Sequence, residues 1–307
     1  MPRLSGRIAI VTGAGRGLGR THALFLAAGG AKLVVNDLGG DLFGQGADAS
    51  AAQPVVDEIR RAGGEAVASH HDVADWDQAQ AMIRLAVETF GGLHVLVNNA
   101  GILRDRAFAN MNEGEWDSVI RVHLKGHAAP TRHALAYWRD QAKQGAVVKA
   151  SVVHTTSTTG LFGNYGQANY GAAKLGIVGL SRITAIEGEK YGVRSNAISP
   201  TARTRLLETI PGMSDKFPAP TDPTASDPFD PAHMSPLVGW LAEADCPATS
   251  QIFHVIGNRV FLIAPPTITA EMIHDGDRWT PAALETALAG KLVEPPSMER
   301  LFQGLFG

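Results

Sequence analysis

Short apolar, β-branched runs alternate with longer segments of helical periodicity along most of the chain. The apolar runs predict strands at Arg7–Thr12, Lys32–Asn36, Ala66–His71, His94–Asn98, Val152–Thr156, Arg194–Ile198 and Ile252–Ile256. The segments between them predict helices near Leu18–Ala28, Ala51–Ala62, Trp76–Phe90, Glu115–Lys143, Gln167–Tyr191 and Ser235–Ala244. Continuously apolar strands separated by helices are typical of a parallel sheet that is covered on both faces. With right-handed crossovers, the pattern predicts a single Rossmann-like, doubly wound α/β fold.

A glycine-rich turn joins the first predicted strand to the first predicted helix. Residues 12–19 read TGAGRGLG. Glycines allow a tight turn here and let backbone N–H groups approach a pyrophosphate. The N-terminus of the helix adds a field that favours an anion. Because a strand precedes this turn and a helix follows it, the turn predicts a dinucleotide site.

An acidic residue, Asp37, ends the second predicted strand in LVVNDLGG. A carboxylate at this position can accept both hydrogen bonds of an adenosine ribose diol and would repel a 2′-phosphate. It therefore favours NAD over NADP. The counter-signal is Arg16 in the glycine turn, where a basic side chain could hold that phosphate. We give Asp37 more weight, because its repulsion of a 2′-phosphate should weaken NADP binding more than attraction by the flexible Arg16 strengthens it. Its alternative role is to cap a turn after the strand.

Two further strand ends lie at the same predicted edge of the sheet, where open α/β folds bind their ligands. Asp72 and Val73 follow the third strand and could meet an adenine through a carboxylate and a backbone amide. Asn98-Asn99-Ala100-Gly101 closes the fourth strand. The alternative is an ordinary strand-ending turn, which asparagine and glycine also favour.

Tyr170 and Lys174, with Ser157 thirteen residues before the tyrosine, form the candidate catalytic group. On a helix, residues four apart share a face. The lysine ammonium then favours the phenolate, which lowers a tyrosine pKa that is otherwise near ~10. Such a tyrosine can exchange a proton with a substrate oxygen. The Tyr-x-x-x-Lys spacing alone is also common on amphipathic helices, so the other motifs must decide.

Composition excludes several classes of protein. The chain has 307 residues, of which 45% are apolar and 19% charged, with a net charge of −3. Without a basic stripe, nucleic acid is a poor partner. The single cysteine, Cys246, excludes an internal disulfide and a thiolate cluster. With no apolar run approaching a membrane span and no signal-peptide core, we expect a cytoplasmic protein.

Two histidines, His123 and His127, are four residues apart on a predicted helix, a spacing that could hold a metal. No acidic partner adjoins them as in the H-E-x-x-H motif, and histidines on helices are usually packed or solvated. We therefore expect no metal.

A proline-rich segment follows the last catalytic motif. Residues 211–236 carry seven prolines mixed with Asp, Ser and Thr, so the segment cannot hold a long helix or a central strand. It is either a solvated loop or a lid over the substrate. We predict one catalytic domain over residues 1–257. The extension 258–307, with a helical pattern at 281–292, should pack on the core or on a partner subunit.

Taken together, these motifs resemble the short-chain dehydrogenase/reductase superfamily over residues 4–257. They are TGAGRGLG, NNAG, Ser157, the Tyr170–Lys174 pair and RSNAISP. A narrower resemblance rests on VVNDLGGD, VVDEIRRAGGEAV, NNAGILRDRAF, VHLKG and GNYGQANYGAAKLG. These segments are similar to the dehydrogenase unit of peroxisomal multifunctional enzyme type 2, a family with stand-alone bacterial members. That resemblance implies NAD-dependent oxidation of (3R)-hydroxyacyl-CoA thioesters, in fatty-acid or sterol side-chain degradation, by a homo-oligomer, either a dimer or a tetramer.

The resemblance assigns roles to individual residues. Tyr170 becomes the acid/base, Lys174 lowers its pKa and holds the nicotinamide ribose, and Ser157 binds the substrate oxygen. His123 stands where the superfamily usually has an asparagine that supports a proton relay, so its role stays open. Pro200-Thr201 replaces the superfamily's Pro-Gly. The implied cofactor contacts are Gly13, Arg16, Gly17, Leu18, Gly19, Asp37, Asp72, Val73, Asn98, Ala100, Gly101, Tyr170 and Lys174.

Three functions remain from the sequence. The first is the NAD-dependent dehydrogenase of (3R)-hydroxyacyl-CoA esters. The second applies the same chemistry to free alcohols, ketones or hydroxysteroids. The third is a non-catalytic nucleotide-binding protein, against which the intact Ser157, Tyr170 and Lys174 argue.

Overall fold

A computed structural model describes residues 3–41, 43–204, 220, 227, 229–274 and 278–298. Its strands are β1 (Ile8–Thr12), β2 (Lys32–Asn36), β3 (Ala66–Ser69), β4 (Val95–Asn98), β5 (Ala150–Thr155), β6 (Val193–Thr201), β7 (Ile252–Ile256) and β8 (Arg259–Leu262). Its helices are α1 (Gly17–Ala28), α2 (Gln53–Arg61), α3 (Trp76–Phe90), α4 (Glu113–Ile120), α5 (Gly126–Lys143), α6 (Thr158–Phe162), α7 (Ala168–Gly188), α8 (Ser235–Ala242) and α9 (Pro281–Leu288).

One sheet organises the fold, with the strand order β3-β2-β1-β4-β5-β6-β7-β8. The first seven strands are parallel, as the apolar runs predicted. The chain moves outward from β1 to β3 and then returns to place β4 on the other side of β1. This reversal opens a crevice between the loops that follow β1 and β4, which is where such sheets bind ligands.

The eighth strand corrects the expectation of an all-parallel sheet. β8 pairs antiparallel with β7, and Ile256 lies opposite Arg259. The two residues between them form a tight hairpin in which Gly257 takes a φ of +53°, a conformation that glycine adopts without strain.

Apolar side chains fill both faces of the sheet. Ile10 and Val34 belong to the cluster on one face, where Trp138 is fully buried and donates its indole N–H to Leu93 O at 2.7 Å. Val11 and Val35 belong to the cluster on the other face, beneath α1 and α8. Burial on both sides explains why these strands are continuously apolar.

The long helix predicted at Glu115–Lys143 is interrupted. α4 begins at a capping box formed by Asn112 and Glu115. After it, residues Arg121–Lys125 form one π-helical turn before α5. Such turns are rare and occur frequently at functional sites. This one contains His123.

The extension contributes little buried surface in its described part. α9 ends at Leu288, earlier than the predicted residue 292, and none of its side chains is buried. The proposed lid lies largely outside the described residues; its last part, Pro231–Met234, is a 3-10 turn that leads into α8. Among the described helices, none has the length and hydropathy of a membrane span.

Candidate active site

The loops after β1, β2, β3 and β4 surround a cleft of about 490 Å³. Many residues predicted from sequence line it: Gly13, Arg16, Gly17, Leu18, Asp37, Asp72, Val73, Ala100 and Gly101. The other lining residues include Asp41, Gly44, Asn99, Ile102, Arg121 and Thr204. The cleft occupies the crevice expected from the strand order.

The glycine turn is shaped for close backbone approach. Gly13 has a φ of +62°, and a Cβ there would lie 2.8 Å from the Ala100 Cα. At Gly19 a Cβ would lie 2.1 Å from the Gly13 carbonyl oxygen. Asn99 fastens the turn to β4 by donating its amide N–H groups to Thr12 O and Gly13 O. The turn leads into the N-terminus of α1, which offers unpaired N–H groups to an anion. These features fit a dinucleotide pyrophosphate.

Asp37 lies on the cleft wall and also caps the backbone. Its Oδ2 accepts the Gly15 N–H and its Oδ1 accepts the Gly39 N–H, each at 2.8 Å. The capping role weighed from the sequence is therefore present, and the ribose-binding role stays a prediction. A carboxylate oxygen can accept two hydrogen bonds, so both oxygens retain capacity for ribose hydroxyls. The amides also hold the negative charge in a fixed position.

Asp72 is tied to a residue that the sequence did not single out. Its carboxylate forms an ion pair with Arg121, at the start of the π-helical turn, and accepts the Ala74 N–H. Since Arg121 also lines the cleft, this pair connects the loop after β3 to the central helix.

The side chain of Asn98 lies apart from the cleft. It is fully buried and donates to Thr131 Oγ1 at 2.9 Å. Asn99, the second asparagine of the motif, is the one that lines the cleft.

Ser157, Tyr170 and Lys174 come together beyond the end of β5. Ser157 is the N-cap of α6, and its hydroxyl lowers the pKa of the neighbouring Tyr170 side chain. Tyr170 and Lys174 share a face of α7, and the Lys174 Nζ lies 5.5 Å from the tyrosine ring centroid. The same Nζ donates to Thr155 O at 2.6 Å. The residues predicted to be catalytic thus form one group.

The electrostatics of this group differ from the expectation for Tyr170. Burial raises the pKa of Tyr170 to about 12, opposed by the Ser157 hydroxyl and reinforced by the nearby Asp105 carboxylate. Burial likewise lowers the pKa of Lys174 to about 7. In the chain by itself, desolvation therefore outweighs the attraction that the sequence argument invoked.

His123 contacts Tyr170 directly. The two rings meet edge to face with centroids 5.1 Å apart. The His123 Nε2 lies 2.8 Å from Ile102 O, and its Nδ1 is buried with no partner among the described residues. Burial and the Lys174 charge lower the pKa of His123 to about 3, so its ring is neutral. Within the described chain, no group of three or more His, Cys, Asp or Glu side chains is arranged to bind a metal.

Comparison with known protein families identifies the family of this chain. The family described as short chain dehydrogenase matches residues 7–210. The chain belongs to this family. It is therefore an oxidoreductase that acts on CH–OH groups, in a family that binds a nicotinamide dinucleotide.

Three similar proteins show which members of the family this chain resembles. The chain is 44% identical over 294 residues to hydroxyacyl-CoA dehydrogenase ChsB1 of Mycobacterium tuberculosis, with 93% of this chain and 88% of that protein covered. It is also 44% identical to peroxisomal multifunctional enzyme type 2 of Mus musculus, with 82% of this chain but only 32% of the mouse protein covered. A crystal structure of a short chain dehydrogenase from Mycobacterium avium superposes with a TM-score of 0.83 at 48% identity, covering 96% and 98% of the two chains.

Proposed function

We propose that the protein is an NAD-dependent dehydrogenase of (3R)-hydroxyacyl-CoA thioesters. The observation that carries the chemistry is the grouping of Ser157, Tyr170 and Lys174 beyond β5, in a chain whose dinucleotide cleft opens at the same sheet edge. The thioester specificity is supported by the named hydroxyacyl-CoA dehydrogenase with which the chain shares 44% identity along most of its length.

Each residue of the group has a distinct task. The Tyr170 oxygen takes the proton of the substrate hydroxyl, and Ser157 steadies the oxygen from which it departs. Lys174, whose Nζ donates to Thr155 O, places a positive charge 5.5 Å from the centroid of the Tyr170 ring, and a cation there favours the phenolate. When bound, the nicotinamide supplies the acceptor for the hydride, which is chemistry that the protein only positions.

The proposed cofactor is NAD, and Asp37 supports that preference. Its carboxylate is held on the cleft wall by two backbone amides, so it cannot easily turn away from an adenosine ribose. A 2′-phosphate placed there would face a fixed negative charge. Gly13, Arg16 and Leu18 would hold the pyrophosphate, while Asp72 and Val73 lie where the adenine would bind.

The test is NAD reduction over a matched substrate panel. The panel holds one acyl chain as its (3R)-hydroxyacyl-CoA, its (3S)-hydroxyacyl-CoA and its free (3R)-hydroxy acid, together with a hydroxysteroid. We expect turnover of the (3R)-thioester alone. Comparable turnover of the steroid or the free acid would replace the thioester assignment with the free-alcohol function. No turnover on any member, with NAD still bound, would leave the non-catalytic alternative.

The proposed homo-oligomer is supported by an exposed apolar stripe on α7. Leu175, Ile183 and Ile186 share one face of the helix and are 54%, 52% and 62% exposed. Exposed apolar stripes of this kind are characteristic of subunit interfaces. Light scattering on the parent protein should give a dimer or tetramer, and Ile183→Glu should shift it toward monomer. An unchanged molecular mass in this variant would show that the α7 face is not the subunit interface.

A further inference from the structure

An acidic residue, Asp105, lies near the proposed catalytic group and takes no part in the proposed chemistry. It follows the NNAG motif in the loop after β4 and is exposed in the described structure. Its Oδ2 accepts a hydrogen bond from Gln167 Nε2 at 2.7 Å. Gln167 is the N-cap of α7 and stands three residues before Tyr170. Asp105 is therefore held at the start of the helix that carries the tyrosine.

Successive hydrogen bonds link Asp105 to Ser157. Gln167, which accepts at one end of its amide and donates at the other, is buried, and its Oε1 accepts from Thr159 Oγ1 at 2.9 Å. The Thr159 N–H in turn donates to Ser157 Oγ at 3.2 Å. Gln167 thus joins the Asp105 carboxylate to the residue proposed to hold the substrate oxygen.

The backbone on each side of Asp105 is also bound to the start of α7. Arg106 donates its N–H to Gly166 O at 2.8 Å, and Arg104 O accepts from Asn169 Nδ2 at 3.1 Å. Since both neighbours are bound, the carboxylate cannot move far without breaking several hydrogen bonds.

Two arginines flank Asp105 in the sequence, but the guanidinium of each is bound elsewhere. That of Arg106 pairs with Glu115 at 2.7 Å, and that of Arg104 lies 5.4 Å from the centroid of the Phe43 ring. Among the described residues, no cation forms an ion pair with Asp105. The carboxylate therefore carries a negative charge that no directly bonded cation neutralises in this part of the chain.

The charge of Asp105 acts on the proposed acid/base. Burial is the largest cause that raises the pKa of Tyr170, and the Asp105 carboxylate raises it further. Although Asp105 is exposed, partial burial of its carboxyl group raises its own pKa, against the hydrogen bond from Gln167. The other titratable side chains beside Tyr170 are Lys174 on the same helix and His123 on the π-helical turn.

The chemistry of Tyr170 fixes the position of the substrate carboxyl carbon, whatever the acyl chain. The tyrosine oxygen must lie within hydrogen-bond distance of the hydroxyl on C3, about 2.6–3.2 Å. C1 is two bonds from C3, so it lies within about 7 Å of the tyrosine oxygen. A carboxylate at C1 therefore experiences the charge that acts on Tyr170, whereas a thioester is neutral there.

We propose that Asp105 is a specificity residue, whose fixed negative charge excludes 3-hydroxy acids with a free carboxylate and admits the neutral thioester. Discrimination of this kind acts against the wrong substrate and needs no added contact with the right one. Gln167 is then a positioning residue that holds the carboxylate in place. The inference rests on the proposed function, since it requires a 3-hydroxyacyl group with its C3 oxygen at Tyr170.

The test compares two substrates that differ at C1 in charge, a (3R)-hydroxy acid and its methyl ester. Asp105→Asn keeps the shape of the side chain and an oxygen for Gln167, but it removes the charge. The ratio of kcat/KM for the acid over the ester should rise by about tenfold, the effect of a unit charge about 10 Å away near a protein surface. Because both substrates use Tyr170, the ratio cancels any change in the pKa of that tyrosine.

Asp117→Asn is the matched control. It makes the same change in net charge at an exposed position of α4, and it should leave the ratio at the value of the parent. Melting temperature and NAD affinity show whether each variant is folded. If Asp105→Asn does not fold, Asp105→Ser serves as the second neutral variant.

A raised ratio in the Asp105 variant, with an unchanged ratio in Asp117→Asn, supports the inference. An unchanged ratio in folded Asp105→Asn or Asp105→Ser overturns it. An equal rise in Asp117→Asn also overturns it, because the effect would then come from net charge alone. The proposed function fails separately: a parent that is inactive on the (3R)-hydroxyacyl-CoA rejects the function, whereas an active parent whose variants keep its ratio rejects only the role of Asp105.

Discussion

The Nζ of Lys174 donates to the carbonyl oxygen of Thr155 at 2.6 Å, while it lies 5.5 Å from the ring centroid of Tyr170. The lysine is thus bound to the end of β5, with its ammonium beside the tyrosine ring. Since Lys174 is buried, this arrangement keeps a cation in the core without a carboxylate partner bonded to it in the described structure. The cost of that burial can be measured.

Lys174 should make stability depend on pH. Burial lowers the pKa of Lys174 from 10.5 to about 7. Between these values the unfolded chain binds more protons, so the free energy of unfolding should rise with pH, by at most roughly 5 kcal/mol. Lys174→Met should remove this rise and be more stable than the parent at pH 7. Urea unfolding across this window measures it, with Lys32→Met, at a half-buried lysine paired with Glu65, as the control. Parallel curves for parent and Lys174→Met would contradict the prediction.

Tyr170→Phe should abolish the oxidation and leave cofactor binding intact. The variant keeps the ring that contacts His123 but loses the oxygen that exchanges a proton. We expect kcat to fall by at least about 10²–10⁴-fold, the usual contribution of a positioned acid or base. Calorimetric titration with NAD checks the affinity. The control is Tyr165→Phe, an exposed tyrosine five residues earlier, which should retain activity. Retained activity in Tyr170→Phe would show that Tyr170 is not the acid/base.

Asp37→Ala should relax the preference for NAD and also destabilise the fold. The substitution removes the fixed charge on the cleft wall and leaves the Gly15 and Gly39 N–H groups without their acceptor. We expect the ratio of kcat/KM for NAD over NADP to fall at least about tenfold, and the free energy of unfolding to drop by about 1–3 kcal/mol. Asp41→Ala removes another carboxylate from the same cleft and should keep the ratio. A parent that already uses both cofactors equally would reject the NAD assignment.

The sequence predicted the sheet well because each strand is marked by its own short apolar run. Seven apolar runs became the seven parallel strands, since burial on both faces forces each strand to be apolar throughout. The hairpin to β8 was missed, although Gly257-Asn258 between Ile256 and Arg259 is a recognisable two-residue turn. β8 also carries an apolar run, Val260-Phe261-Leu262, but it lies at the sheet edge and is largely exposed, and no helix separates it from β7.

The sequence identified many residues of the site, but it did not predict where their side chains point or how deeply they are buried. The motif containing Asn98 and Asn99 indicated a ligand edge, but only packing decides that the first amide points into the core and the second toward the cleft. Arg121 gave no signal, because its ion pair with Asp72 joins distant parts of the chain. The direction of the Tyr170 pKa was also wrong for the chain alone, since spacing reveals a neighbouring charge but not the depth of burial.

Because Gly101 packs against His123, we expect that even alanine at Gly101 in the NNAG motif disturbs the proposed catalytic group. A Cβ at Gly101 would lie 2.3 Å from His123 Cε1, so Gly101→Ala must displace a buried ring that packs against Tyr170. Overpacking of this kind costs about 1–3 kcal/mol. We expect a lower melting temperature and a fall in kcat that exceeds any change in NAD affinity.

Gly114→Ala is the matched control for this change. A Cβ there meets only Asn112 Oδ1, at 3.5 Å, on the exposed first turn of α4, and alanine in a helix should stabilise by about 0.5–1 kcal/mol. Opposite shifts in melting temperature for the two variants would show that contact with His123, and not the loss of a glycine, is responsible. If Gly101→Ala kept full activity and stability, the ring of His123 would have room to move, and its contact with Tyr170 would not position the tyrosine.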